Sequence, residues 1–432
     1  MNNLKMNLLY LCFISSLFVS VQAGAQVPYE RIVNAAEEPE NWLTYNGGYM
    51  SQRYSLLDQI TPTNVGNLEL KWILQNQVFG AWQSNPIIVD GIMYVTERPN
   101  SVMAVDASTG RVFWKFRHTP SENARVCCGA NNRGVAVLDD RVYMGTLDAR
   151  LIALDRINGQ PLWNVEVADV NLAYSVTMAP LVVKDKIVVG VGGGEYGIRG
   201  YVAAFDAETG EQAWKTYTIP GPGELGHDSW EGDDWEHGGA SVWVTGSFDP
   251  ELNLTYWGVG NPGPDWNAGQ RPGDNLFSDS VIALDADTGE LKWYFQFTPN
   301  DGYDYDAVQV PVLADMVWRN EPKKVMMWAN RNGYFYVLDR VNGQFLEGKP
   351  YVKVNWSSGL DENGRPIPTP QPEGMPTYPG NQGGTNWYPP SYSPRTGLFY
   401  FSAWENYATI YRAEESEYVP GQAFLGGGFT VL

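Results

Sequence analysis

The sequence has very few residues that bind metals through sulfur or imidazole. Among 432 residues there are only 3 cysteines and 3 histidines. It contains neither a C-x-x-C nor a C-x-x-C-H motif, and its histidines lack zinc-site spacing, so neither a zinc-ribbon site nor a covalently attached haem is encoded here. Cys12 lies close to the N-terminus, which leaves the adjacent pair Cys127 and Cys128 for the rest of the chain.

Charged residues are also scarce, at 18% of the chain, and acidic ones dominate, with a formal net charge of -20. Such a chain repels phosphate, which argues against nucleic acid as a partner. The apolar run at residues 8–19 is shorter than the roughly 20 residues that span a bilayer. Because Lys5 precedes it and small residues follow it, we expect residues 1–25 to be a secretion signal, with an uncleaved anchor helix as the alternative.

Aromatic residues, by contrast, are abundant, with 17 tryptophans in a recurring pattern. Each copy has an apolar strand, an Asp, a short turn that ends in Gly, and a second strand that in most copies carries Trp. The copies begin about 50 residues apart, which is typical of propeller blades. The Asp and Gly suit a hairpin turn. The repeats contain Asp106, Asp155, Asp206, Asp285 and Asp339.

These repeats predict an all-β fold with about four strands in each repeat. The segment around Trp72 is interpreted as an earlier, degenerate copy, which gives about six repeats. The longer step between Asp206 and Asp285 predicts an insertion, and residues 220–238 fit one because they are rich in Gly, acidic residues and Trp.

Between the repeats lie several polar or Gly-rich motifs. Gly192, Gly194 and Gly197 formally spell G-x-G-x-x-G, but a strand and hairpin follow where a dinucleotide site requires a helix, so that reading is rejected. Asp304 and Asp306 would face the same side if their backbone were extended. The motifs, in chain order, are QSNPIIV, RVCCGANNRG, SVTMAP, GVGGGEYG, GGASVW, YWGVGNPGPDWN, TPNDGYDYDAVQ, WANRNGYFYVLDR and GGTNWYPP.

Taken together and in this order, the motifs resemble those of the alcohol dehydrogenases that depend on pyrroloquinoline quinone (PQQ), over the whole of residues 26–432. The resemblance implies an eight-bladed β-propeller whose tryptophans dock neighbouring blades. About six blades would be present here, so we expect the sequence to lack the C-terminal part of that ring. A haem domain could follow the missing part.

The resemblance also implies which residues form the active site. Cys127 and Cys128 would form a disulfide that packs against PQQ, and Asp304 would be the catalytic base. Gln83 stands where the family usually has Glu, so it retains hydrogen bonding without the charge. The implied cofactor-binding residues are Gln83, Cys127, Cys128, Arg133, Thr177, Gly193, Gly194, Trp243, Arg331 and Asn386. The implied metal ligands are Glu195, Asn261, Asp304 and Asp306.

The identity of the metal depends on Asp306. Calcium-dependent members of the family have a small neutral residue there, and lanthanide-dependent members have Asp. Two carboxylates so close in sequence repel each other unless a cation or a proton intervenes. We therefore expect a lanthanide rather than calcium, provided that Asp306 points into the site.

The activity implied is periplasmic oxidation of a primary alcohol to an aldehyde, with electrons passed from PQQ to a soluble c-type cytochrome. Two alternatives stay open. One is a non-catalytic outer-membrane assembly scaffold with similar repeats, and the other is a sugar dehydrogenase that uses the same cofactor. The preferred alcohol and the oligomeric state do not follow from the sequence.

Overall fold

The computed structural model describes residues 26–372 and 374–432, so the expected signal segment at 1–25 lies outside the described residues. The prediction of an all-β fold is confirmed, because five four-stranded antiparallel sheets follow one another along the chain. Within each sheet the strands are ordered as in the sequence. Among the described residues, no helix is both long enough and apolar enough to cross a membrane.

The strand bounds are as follows. The first sheet contains β1 Ile87–Val89, β2 Ile92–Glu97, β3 Ser101–Asp106 and β4 Val112–Arg117. The second contains β5 Ala136–Leu138, β6 Arg141–Gly145, β7 Arg150–Asp155 and β8 Pro161–Glu166. The third contains β9 Leu181–Val183, β10 Lys186–Gly190, β11 Tyr201–Asp206 and β12 Gln212–Tyr217. The fourth contains β13 Ser247–Asp249, β14 Leu254–Gly258, β15 Ser280–Asp285 and β16 Leu291–Gln296. The fifth contains β17 Val312–Trp318, β18 Glu321–Ala329, β19 Tyr334–Asp339 and β20 Phe345–Pro350.

Three two-stranded hairpins and a few short helices complete the fold. The hairpins are β21 Ser357–Leu360 with β22 Pro366–Pro368, β23 Ser391–Ser393 with β24 Leu398–Tyr400, and β25 Thr409–Ala413 with β26 Gly427–Val431. The only α-helix in the described residues is α1 Tyr29–Val33. The 3-10 helices are Ala35–Glu37, Val65–Asn67, Val170–Leu172, Gly194–Tyr196, His227–Ser229, Asp234–His237 and Ala268–Gln270.

Each repeat Asp holds the turn between the third and fourth strands of its sheet. Asp106 Oδ1 accepts hydrogen bonds from the backbone N–H groups of Ser108 at 2.9 Å and Thr109 at 3.2 Å. Gly110 closes that turn with φ +74°, a left-handed conformation that favours glycine. The same arrangement recurs at Asp155 with Gly159, Asp206 with Gly210, Asp285 with Gly289, and Asp339 with Gly343.

The repeat tryptophans join neighbouring sheets. Trp114 on β4 lies against Gly159 in the turn of the next sheet, so close that a Cβ there would be 2.5 Å from its ring. The Trp114 indole N–H also donates to the carbonyl of Arg156 at 3.1 Å. Each sheet is therefore packed against the next through one ring and one glycine. The equivalent pairs are Trp72 with Gly110, Trp163 with Gly210, Trp214 with Gly289, and Trp293 with Gly343.

The segment around Trp72 differs from the sequence prediction. Residues 51–86 contain no strand, although Trp72 makes the ring contact with Gly110 and donates to the carbonyl of Ala107 at 3.1 Å. A strand needs a partner for its backbone groups, and no strand of the described residues pairs with this segment. The degenerate copy predicted here therefore has the tryptophan contact of the other repeats but no strand.

The apolar core lies within and between the sheets. One cluster of buried side chains extends from the first sheet to the fourth, and a second joins the fourth sheet to the fifth. The predicted insertion is among the irregular segments, since residues 218–246 between β12 and β13 contain only two short 3-10 helices.

We predict that Gly159→Ala destabilises the protein more than Gly91→Ala. Both glycines have positive φ, +72° and +78°, but a Cβ at Gly91 meets nothing within 4 Å. Both changes therefore force a left-handed alanine, at about 1–2 kcal/mol. Only Gly159→Ala also displaces Trp114, which adds about 1–3 kcal/mol of overpacking.

Urea denaturation followed by tryptophan fluorescence measures this difference. Equal free energies of unfolding for the two variants would show that the ring contact does not contribute to the packing between sheets.

Candidate active site

A cavity of about 260 Å³ lies where loops from several sheets meet. Most of the residues that the sequence singled out line it. These side chains are up to about 300 positions apart in the sequence. They come together because loops that connect strands of separate sheets carry them to the same cavity. Those that line the cavity are Gln83, Cys127, Cys128, Arg133, Thr177, Gly193, Glu195, Trp243, Asp304, Asp306, Arg331 and Asn386.

Cys127 and Cys128 are joined in a disulfide between adjacent residues, with Cα atoms 3.8 Å apart. The pair lies in the loop between β4 and β5 and forms part of the cavity wall. Cys127 Sγ lies 2.8 Å from Glu195 Oε1. Because thiolate sulfur is the form that binds metals, this disulfide next to a carboxylate is not itself a Cys–Glu metal site.

Arg133 is buried at the base of the cavity and has no carboxylate partner among the described residues. Its guanidinium donates to Thr177 Oγ1 at 2.9 Å and to the Trp243 carbonyl at 3.2 Å. It also lies over the rings of Trp243 and Trp387, at 4.7 and 5.3 Å. Its Nε is buried without a hydrogen-bond partner, and burial lowers the pKa of Arg133 to about 10. An anionic ligand in the cavity would supply the missing acceptor.

The turn before β11 brings Glu195 to the cavity. Gly193 has φ +122°, and a Cβ there would lie 2.5 Å from the Ala173 carbonyl oxygen, so only glycine fits. The backbone carbonyl of Glu195 accepts a bond from the Phe424 N–H at 2.7 Å, which ties the turn to the loop between β25 and β26. Burial raises the pKa of Glu195 to about 7. A nearby cation would favour its ionised form.

Asp304 and Asp306 both line the cavity and share one arginine. Arg331 Nη2 lies 3.0 Å from Asp304 Oδ2, and Arg331 Nη1 lies 2.5 Å from Asp306 Oδ2. Burial raises the pKa of Asp304 well above its usual range, and Arg331 opposes that shift. With Glu195, three carboxyl groups thus line one cavity, and their oxygens could bind a cation.

The sequence suggested that an extended backbone would turn Asp304 and Asp306 to the same side. Both line the cavity, but the backbone at Asp304 is not extended. Asp304 has φ +61°, in the left-handed region. Asp306 is held separately, because its Oδ1 accepts the backbone N–H of Asn261 at 2.9 Å. Gly260 leaves room for this contact, since a Cβ there would lie 2.4 Å from the same oxygen.

Two predicted residues do not line the cavity. The side-chain amide of Asn261 donates to the Pro262 carbonyl at 3.3 Å, and Asn261 touches Asp306 through its backbone. Gly194 lies against Ser241, whose Oγ would be 3.2 Å from a Cβ at that position. Both residues support the residues of the wall rather than forming it.

Gln83 and Asn386 complete the polar lining. Gln83 Oε1 is buried without a hydrogen-bond partner among the described residues. Asn386 donates to the Gln382 carbonyl at 3.1 Å and accepts from the Trp387 N–H at 2.8 Å. Arg133 Nε and Arg331 Nε therefore remain available to donate to an anionic group of a ligand, and Gln83 Oε1 remains available to accept from a donor on it.

Several lining residues were not predicted from the sequence. Two of them lie in motifs that the sequence analysis used. Trp387 follows Asn386 directly, and Ser175 is two residues before Thr177. Ser175 pairs with Gly192 through backbone hydrogen bonds in both directions, a contact between separate motifs that no local pattern reveals. The residues missed are Val126, Gly129, Asn131, Ser175, Gly192, Ser241, Gln382 and Trp387.

Comparison with known proteins agrees with this arrangement. Residues 42–355 match the family described as the PQQ glucose/ethanol/alcohol dehydrogenase β-propeller domain. The quinoprotein alcohol dehydrogenase PedH of Pseudomonas putida is 39% identical, over 97% of this chain and 75% of its own length. The chain belongs to the PQQ-dependent alcohol dehydrogenase family. Its fold is accordingly a β-propeller, and its named relatives are oxidoreductases.

Two solved structures show the same relationship. The quinohemoprotein alcohol dehydrogenase ADHIIG of Pseudomonas putida has a TM-score of 0.87 and 40% identity, with 94% of this chain and 64% of that chain covered. A europium-containing methanol dehydrogenase has a TM-score of 0.88 and 36% identity, with 93% of this chain and 75% of that chain covered. The chain thus spans roughly two thirds to three quarters of these two proteins.

Proposed function

We propose that the protein catalyses the PQQ-dependent oxidation of a primary alcohol to an aldehyde. The observation that carries the proposal is the cavity itself, which is lined by an arginine without a carboxylate partner, by three carboxyl groups, and by a second arginine that pairs with two of them. We further propose a periplasmic location, an eight-bladed ring to which residues 26–432 contribute, and a soluble c-type cytochrome as electron acceptor.

The residues of the cavity fit PQQ, which is a planar tricarboxylate. Arg133, Thr177 and Asn386 would hold its acidic groups, and the buried, unpartnered Nε atoms of Arg133 and Arg331 would gain acceptors. The Cys127–Cys128 disulfide and Trp243 offer apolar surface in the same cavity. A non-catalytic scaffold would have no evident use for two buried arginines whose Nε atoms lack hydrogen-bond partners.

The same cavity fits a hard cation. Glu195, Asp304 and Asp306 offer oxygen atoms, the donors that such ions prefer. Asn261 would add a neutral amide oxygen if its side chain turned from the Pro262 carbonyl. When bound, PQQ supplies the acceptor for two electrons and the metal ion supplies positive charge that polarises it.

The protein's own residues would then bind, orient and deprotonate the alcohol. Asp304 would accept the hydroxyl proton at a carboxylate oxygen, acting as general base. Arg331 favours the ionised form of that carboxylate, because its guanidinium opposes the rise in pKa that burial causes. The surrounding buried side chains limit the access of water, which strengthens these interactions.

We predict that Asp304→Asn retains PQQ but turns over alcohol about 10²–10⁴ times more slowly, as expected when a general base is removed. Asparagine tolerates the left-handed backbone at φ +61°, so the substitution preserves the loop. The measurement is steady-state oxidation of ethanol after reconstitution with PQQ and metal.

The matched control is Asp139→Asn, at another left-handed aspartate (φ +52°), in the turn between β5 and β6 and away from the cavity. This variant should keep its activity. Asp304→Asn turnover within about tenfold of the parent, short of the range for a general base, would remove Asp304 from the catalytic role.

We also propose that the metal is a lanthanide rather than calcium. Asp306 lines the cavity, as this hypothesis requires, and adds a third carboxylate. A trivalent ion neutralises one more of these charges than a divalent ion does and polarises a bound carbonyl more strongly. One structural relative is a europium-containing methanol dehydrogenase, which supports the proposal.

Reconstitution of metal-free protein with PQQ and either La³⁺ or Ca²⁺ tests the choice of metal. We predict activity with La³⁺ in the parent and loss of the La³⁺ preference in Asp306→Ala, because the third carboxylate is removed. Asp279→Ala is the control, since Asp279 is equally buried but does not line the cavity. Full activity with Ca²⁺ that Asp306→Ala leaves unchanged would refute the lanthanide assignment.

A further inference from the structure

Asp304 sits in a backbone conformation that needs support from its surroundings. Its φ of +61° lies in the left-handed region, which aspartate adopts only at some energetic expense. It belongs to the loop between β16 and β17, a segment without regular secondary structure. Something outside its own local preference must therefore fix the direction in which its carboxylate points.

Asp301 provides that support from within the same loop. Its Oδ1 accepts the backbone N–H of Tyr303 at 2.9 Å, and its Oδ2 accepts the backbone N–H of Tyr305 at 2.7 Å. The two bonds hold the peptide groups on either side of Asp304. Since both carboxylate oxygens are engaged with the loop and Asp301 does not line the cavity, its side chain acts on the loop rather than on a ligand.

A buried arginine, Arg271, holds the backbone of Asp301 itself in place. Its backbone carbonyl accepts a hydrogen bond from Arg271 Nη2, and Arg271 is held by Asn275 Oδ1 at 2.9 Å and the Pro264 carbonyl at 3.3 Å. Asp301, Arg271 and Asn275 are all fully buried. The carboxylate therefore has a fixed position from which it can restrain the loop, and the bonds are not weakened by competition with water.

We propose that Asp301 is a positioning residue, which clamps the backbone on both sides of Asp304 and so directs the catalytic carboxylate into the cavity. This inference rests on the role proposed above for Asp304. A carboxylate is required, because only it offers two acceptor oxygens at once. In Asp301→Asn one oxygen becomes an NH₂ group, which cannot accept the backbone N–H that faces it.

The chain contains a close control at Asp249. This aspartate is also buried, its Oδ1 accepts the backbone N–H groups of Glu251 at 2.9 Å and Leu252 at 3.1 Å, and an arginine, Arg340, contacts it. It is the last residue of β13, next to the turn that leads to β14, and does not line the cavity. Asp249→Asn keeps the acceptor oxygen of this turn but replaces Oδ2, which pairs with Arg340, so it removes the charge of a buried carboxylate without any effect on Asp304.

The experiment combines hydrogen–deuterium exchange with kinetics on the protein reconstituted with PQQ and La³⁺. In Asp301→Asn we expect faster exchange in residues 302–306, unchanged PQQ content, and a fall in kcat on the order of 100-fold, as for a misplaced catalytic group. In Asp249→Asn we expect unchanged exchange in residues 302–306 and a kcat within about twofold of the parent.

Each other result has a distinct meaning. Equal kcat values for the two variants in an active parent would overturn the positioning role alone. A parent that binds PQQ and La³⁺ but oxidises no alcohol would overturn the proposed function, and this inference with it. If Asp301→Asn does not fold, exchange in the parent decides: unprotected amides at Tyr303 and Tyr305 would refute the clamp, and slow exchange there would support it.

Discussion

A contact between a tryptophan ring and a turn glycine recurs between neighbouring sheets of this protein, beside the apolar core that joins them. Trp114 fits against Gly159 because that residue has no Cβ, and the same geometry recurs from sheet to sheet. The glycine is needed twice, for its left-handed φ and for its missing side chain. Successive sheets therefore make the same contact with each other, and loops that carry the polar motifs line one cavity.

Within the cavity, the balance of charge is the feature from which the chemistry follows. Arg331 is shared between Asp304 and Asp306, while Arg133 has no carboxylate partner among the described residues. Glu195 adds a further carboxylate. One part of the cavity thus suits anions and another suits a cation, which is the pairing that a tricarboxylate quinone and its metal ion require.

The sequence predicted the repeats well because each depends on local chemistry, an Asp that caps a turn and a Gly with positive φ. The resemblance to known motifs identified most of the lining. The sequence could not predict that the segment around Trp72 forms no strand, because a strand depends on a partner strand elsewhere in the chain. Nor could it predict the left-handed conformation of Asp304, because that conformation depends on Asp301 and the buried Arg271. Ser175 was missed because its role arises from pairing with Gly192 on another motif.

The central claim is that this cavity holds PQQ, and direct detection of the cofactor tests it most simply. The purified protein is incubated with PQQ and La³⁺, freed of unbound cofactor, denatured, and its extract analysed by mass spectrometry. We predict one PQQ per chain for the parent and far less for an Arg133→Ala variant, because that variant loses the buried guanidinium that would bind the anion. Absence of PQQ from the extract of the parent would contradict the account.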